Sequence, residues 1–183
     1  MDGKQHRLRR ETYIRDKKGK FNMAEISSNL SFSEILGSER PQAVAWFQGK
    51  NAPSQIGGFA KFYVTSFGGV LVEVEVYGLP DKKGYSNFYA LHIHEYGDCR
   101  GNFIHTGEHY NPGEVKHPNH AGDMPPLISK NGYAWASFFD GRFSVTELIG
   151  RSIVIHGGAD DFTTQPSGNA GEKIACGVIR IVR

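Results

Sequence analysis

The sequence is poor in cysteine and methionine, with two and three residues respectively, and has no apolar run near the roughly 20 residues a membrane helix needs. Two cysteines cannot form a disulfide-dense scaffold, so the chain must bury a core, and 183 residues suffice for one such domain. Phosphate-cradling glycine loops, dinucleotide fingerprints and nucleophile-triad signatures are missing as well, which argues against nucleotide-dependent and acyl-transfer enzymes. Neither sign of charge dominates. A net charge of +2, with 39% hydrophobic and 22% charged residues, is ordinary for a soluble globule.

The charge is nevertheless uneven, because residues 1–22 hold eight Lys or Arg against three acids. Short basic segments of this kind read as a disordered tail rather than a nucleic-acid footprint. The chain therefore divides into a tail over 1–22, an extension over 23–41 and a folded domain over 42–183. The opening MDGKQHRLRR runs into more polar sequence and not into the apolar stretch of a secretory signal. As written, the chain reads as cytoplasmic, with a processed secreted form left open, and in the cytoplasm free thiols are the default state of Cys99 and Cys176. The Ser31 to Glu34 spacing fits a capping box opening one short helical turn that ends at Gly37.

From Gln42 onward, short strands alternate with Gly, Pro, Asn and Asp punctuation, the pattern of an antiparallel sandwich or barrel. Val70-Leu-Val-Glu-Val-Glu-Val-Tyr77 alternates with period two, as a strand with one buried and one wet face must. Ala43–Phe47, Gly58–Val64, Tyr133–Phe139, Ser152–Ile155 and Ile174–Val182 are further strands, and Asp140-Gly141 predicts a two-residue hairpin. Two segments do not read as strands: Glu95–Lys130, rich in Gly, Pro, His and Asn, and Gly157–Glu172, rich in Gly, Asp and Thr. Loops of that length in a compact domain are usually functional.

The loops and their edges hold most of the histidines. His92 and His94 are two apart, so on a strand both imidazoles project from one face. Such a pair alone is a weak signal. The first loop adds His109, His117, His120 and Asp123 within fifteen residues, a complete tetrahedral zinc set that would pin the segment in the manner of metal-coupled folding. His156, at the end of Ser-Ile-Val-Ile-His, offers a third imidazole to His92 and His94, and an all-imidazole set suits copper. A fourth nearby imidazole would complete it.

The segments Leu91-His-Ile-His-Glu-Tyr-Gly-Asp98, Gly107-Glu-His-Tyr-Asn-Pro112, His120-Ala-Gly-Asp123, Ile155-His-Gly-Gly-Ala-Asp-Asp161 and Gly168-Asn-Ala-Gly-Glu-Lys-Ile-Ala-Cys-Gly177 together resemble the Cu,Zn superoxide dismutases, with a bacterial cast. The resemblance runs in order from about Ala43 to Val182. It implies an all-β fold, an eight-stranded antiparallel Greek-key β-barrel of the immunoglobulin-like sandwich kind, with the site on its outer face under two long functional loops. It implies copper held by His92, His94, His109 and His156, and zinc held by His109, His117, His120 and Asp123, with His109 bridging the metals and taking part in catalysis. Asp160 matches the carboxylate that joins a copper-side to a zinc-side histidine, and Cys99 and Cys176 match cysteines that form a disulfide stapling loop to barrel. The implied reaction is dismutation of superoxide to dioxygen and hydrogen peroxide, with superoxide as the small anionic partner and a homodimer as a compatible assembly.

The sequence departs from the family pattern at the arginine beside copper, whose place falls on Lys173. Lysine keeps the charge but loses the fork that holds an anion with two parallel N–H groups. The stretch Asp161–Asn169 is also shorter than in eukaryotic members and lacks their steering charges, so slower association is expected. A copper- and zinc-binding protein with weak or no dismutase activity is thus the second reading. His105 matches no ligand and reads as loop surface, while His6 belongs to the tail.

Overall fold

Alternation in the sequence translates directly into strands. The structure, a computed structural model, describes residues 36–50, 54–81 and 87–182. The basic tail and the Ser31–Glu34 capping box lie outside these residues. Strand β1 spans Ala43–Gly49, β2 Gly57–Val64, β3 Val70–Tyr77, β4 Phe88–Tyr89, β5 Leu91–His94, β6 Leu127–Ile128, β7 Ala134–Asp140, β8 Ser152–His156, β9 Lys173–Val178 and β10 Arg180–Ile181. In β3 the even valines are fully buried while Glu73 and Glu75 stay half-exposed, as period two requires.

Eight strands form one antiparallel sheet in the order β5-β8-β9-β1-β2-β3-β7, with β10 joining the start of β1. Strands β3 and β5 are near neighbours in the chain yet lie at opposite ends of this order, as do β7 and β8. These crossings give the eight-stranded Greek-key barrel, whose core gathers Phe62, Val72, Val74, Leu91, Ile93, Leu127, Leu148, Ile153 and Ile155. The small pairing of β4 with β6 was not expected, since Leu127–Ile128 falls inside a segment read as loop.

Two boundaries differ from the sequence reading. Asp140-Gly141 is not a hairpin: the Asp140 carboxylate accepts from the Arg142 backbone and guanidinium, and Ser144 with Glu147 caps a one-turn helix over Val145–Leu148. The last strand is broken between β9 and β10, because Ile179 turns aside to bond Arg151 and Gly150.

The outer edge of β5 decides where the site forms. An unpaired edge would leave backbone groups exposed, but here the first long loop folds back on it. Ile93 donates to Gly122, Tyr110 donates to Ile93, and Met124 donates to Leu91. Gly122 permits this approach, since a Cβ there would stand 2.3 Å from the Ile93 carbonyl oxygen. The loop's own histidines are thereby laid over those of the strand.

Candidate metal centre

Strand β5 presents His92 and His94 on one face, β8 ends on His156, and the folded-back loop supplies His109, His117, His120 and Asp123. All seven side chains are buried. Their donor atoms fall into two overlapping sets: His92, His94, His109 and His156 in one, His109, His117, His120 and Asp123 in the other, with the atoms of each set within 4.8 Å of one another. The structure thus brings together every ligand position read from the sequence, and His109 lies in both sets.

Outer hydrogen bonds fix which nitrogen of His92, His94, His117 and His156 faces inward. Burial pushes the Asp160 carboxyl up, but donors from His92, the Phe162 backbone and His117 outweigh this and hold it below its ordinary value. An ionised carboxylate only accepts, so His92 and His117 each donate an Nε2–H to it, at 2.8 and 2.9 Å. His94 donates its Nδ1–H to the Gly107 carbonyl at 2.9 Å, and His156 donates to that of Gly171 at 3.2 Å. The remaining nitrogens of these four rings carry lone pairs and turn inward, while His109 donates its Nδ1–H to the ionised Asp123 carboxylate at 2.7 Å. His94 Nε2 and His156 Nε2 stand 3.3 Å apart, and His109 Nδ1 and His120 Nδ1 3.5 Å apart. His92 Nδ1 and His109 Nε2 are buried without any hydrogen-bond partner, and His117 Nδ1 faces only the Asp123 carboxylate, 3.1 Å away. Converging lone pairs and orphaned buried nitrogens are costly alone and are satisfied by a shared cation.

The donor chemistry differs between the sets. Four imidazoles suit copper, whereas three imidazoles and a carboxylate suit zinc. The rings are ready to bind, because burial lowers His94 to a pKa of about 2 and His156 to about 3, and burial also lowers His92. For Asp123, burial raises the pKa, but His109 and the neighbouring imidazoles prevail and hold it at about 2. A neutral imidazole and an ionised carboxylate are the forms that ligate.

A family model, copper/zinc superoxide dismutase, matches residues 56–179. The chain belongs to the copper/zinc superoxide dismutase family. Superoxide dismutase [Cu-Zn] 2 of Aquifex aeolicus is 35% identical over 154 residues, 71% of this chain and 82% of that protein. Extracellular superoxide dismutase [Cu-Zn] of Mus musculus is 38% identical over 111 residues, 56% of this chain and 44% of that protein. The chain therefore spans under half the length of this extracellular relative. Among solved structures, the crystal structure of the clock protein EA4 superposes with a TM-score of 0.67 at 32% identity, covering 80% of this chain and 98% of that one.

The outlying positions are also placed. Cys99 and Cys176 are bonded, with Cα atoms 5.8 Å apart, so the first loop is stapled to β9 rather than ending in free thiols. Lys173, half-buried, donates from Nζ to the Thr106 hydroxyl at 2.7 Å and to the Gly107 carbonyl at 3.2 Å. His105 is exposed on the same loop, outside both sets.

Three supporting residues had no signal in the sequence. Arg142 donates to the His120 carbonyl at 2.7 Å and to that of Asp123, tying the loop to the end of β7. Gln165 brackets the His117 backbone, accepting from its N–H at 3.1 Å and donating to its carbonyl at 2.7 Å. Thr106 holds Lys173. Gly168, in the second loop, has φ +67° and comes so close that a Cβ would lie 1.9 Å from Asp160 Oδ1.

Proposed function

We propose that this chain dismutates superoxide, converting two superoxide anions and two protons into dioxygen and hydrogen peroxide. Copper would be held by His92, His94, His109 and His156, and zinc by His109, His117, His120 and Asp123. The observation that carries the reading is His109, whose Nδ1 lies beside Asp123 at 2.7 Å while its buried Nε2 faces the other set with no partner. Copper supplies one-electron exchange with the substrate when bound, and zinc needs no redox role. The protein's own part is to keep the imidazoles neutral, aim their lone pairs and offer His109 Nε2 as a proton-carrying atom. Asp160, bonded to His92 and His117, ties the two sets so that neither ring turns alone.

Lys173 is read as the anion-docking residue. Its ammonium has three N–H groups, two of which are engaged by Thr106 and Gly107, leaving one for an anion. A single contact supports slower dismutation than a guanidinium fork would give, and at its limit a metal-binding protein of weak activity. Superoxide consumption by the chain loaded with copper and zinc tests the reading: a rate no better than free copper sinks it. Lys173→Arg separates the two alternatives, since a large rise in rate assigns the deficit to anion docking alone.

Two further readings go with this one. A homodimer is supported by the aromatic outer face of β1, β3 and β7, where Trp46 is 65% and Trp135 55% exposed beside Tyr77 and Tyr133; light scattering on the purified chain decides it. For compartment, the bonded cysteines and the extracellular relatives support a secreted form. Among the described residues no helix is long and apolar enough to cross a membrane.

A further inference from the structure

We propose that Thr106 is a positioning residue for anion docking: its buried hydroxyl holds the Lys173 ammonium beside the copper-side histidines, leaving one N–H directed to an incoming anion. This rests on the functional reading above.

A lysine stem has four rotatable carbons and by default carries its charge out to water. At position 173 it does not. Lys173 pairs with His156 at the β8/β9 irregularity, and its Nζ turns in to the Thr106 hydroxyl and the Gly107 carbonyl. That carbonyl also accepts from His94, so the ammonium and a copper-side imidazole share one oxygen.

Thr106 is suited to this task in two respects. Its side chain is fully buried and donates its single proton to the Phe103 carbonyl at 2.9 Å, which leaves only lone pairs for the lysine. Its backbone is also fixed: the Thr106 carbonyl accepts from Tyr96, and Phe103 packs on Val154 and Cys176 beside the disulfide. The acceptor is thus rigid while the donor is flexible. A guanidinium, with five donors in a planar fork, carries much of its own orientation; a point charge on a flexible stem needs an outside acceptor to hold it. The demand for a hydroxyl at 106 follows from the lysine at 173.

The test uses the full chain loaded with copper and zinc, with azide as the anion probe followed in the copper visible spectrum. Thr106→Val keeps the shape and removes the acceptor; Thr106→Ser keeps the acceptor. T106V is expected to bind azide about three- to tenfold more weakly, the scale of one lost hydrogen bond, and T106S about as well as the parent. In a K173A background T106V should have no further effect, and amine labelling of Lys173 should rise several-fold in T106V alone. Unchanged or tighter azide binding in T106V, or an equal loss without the lysine, overturns the proposal. If T106V does not fold, K173A carries the test, because azide affinity indifferent to the lysine overturns it equally. A chain that takes up no copper overturns instead the functional reading, which metal analysis shows directly.

Discussion

His109 Nδ1 lies 2.7 Å from Asp123 Oδ1, while the opposite nitrogen of the same ring is buried with no partner at all. One imidazole therefore faces two donor sets. His109→Ala is expected to damage both, lowering copper and zinc content together. His105→Ala, four residues earlier on the exposed side of the loop, should change neither. Metal analysis after dialysis distinguishes them, and a variant at 109 that loses one metal while fully keeping the other contradicts a shared ligand.

Asp160→Asn removes one acceptor oxygen from a carboxylate that receives both His92 and His117. One of the two rings must then lose its outer partner and the tautomer it enforces. Loss of such a partner typically weakens metal binding by about 10- to 100-fold. Competition titrations with zinc and with copper should show weakening at the site whose ring loses its oxygen, the set of His92 or the set of His117, with the other site near its parent affinity. Parent affinity at both sites would mean that neither ring depends on Asp160 for its tautomer.

The strands were legible because burial on one face imposes period two, and the ligands because few side chains bind metals and here they crowd a segment with little to pack. The supports were not legible. Lys173 and Thr106 are 67 residues apart, Gln165 and His117 48, and Arg142 and His120 22. Threonine, glutamine and arginine occur on any surface, so only the folded chain shows what their polar atoms meet. Asp140-Gly141 misled for a related reason: Asp140 looks like a turn residue, yet its carboxylate is taken by Arg142, which in turn reaches the loop carbonyls.

Acid should destabilise the metal-free chain well above the usual carboxylate range. Burial holds His94 at about 2 and His156 at about 3, while in the unfolded chain both titrate near 6.5. The unfolded state therefore binds more protons between those values, so stability is full above about pH 6.5 and is lost as pH falls toward 3. From pH 7.5 to 5 each histidine should remove about 2 kcal/mol. Asp123, held at about 2, adds a further loss only below its ordinary range near 3.8. Urea unfolding at the two pH values checks this, and equal or greater stability at pH 5 would rule it out.

The disulfide closes a loop with a sequence separation of 77, for which chain entropy gives roughly 4 to 5 kcal/mol. Cys99→Ser should lose a large part of that in chemical denaturation. The same variant frees the segment that carries Thr106, so Lys173 should become more reactive to amine reagents even where the fold persists. Unchanged lysine reactivity would mean that the segment is held by its backbone bonds alone.

Gly168→Ala and Gly150→Ala separate backbone strain from disturbance of the site. Both glycines have positive φ, +67° and +84°, and either alanine costs about 1 to 2 kcal/mol for adopting it. At Gly150 a Cβ meets open space, so strain is the whole effect and metal binding should be untouched. At Gly168 the Cβ would fall 1.9 Å from Asp160 Oδ1 and 2.7 Å from His117 Nε2, the two atoms of the hydrogen bond that orients His117. Gly168→Ala should therefore weaken zinc binding and cost more stability than Gly150→Ala, because the clash adds to the strain. If both glycine variants lose zinc equally, the close approach at Gly168 is not what keeps Asp160 in place.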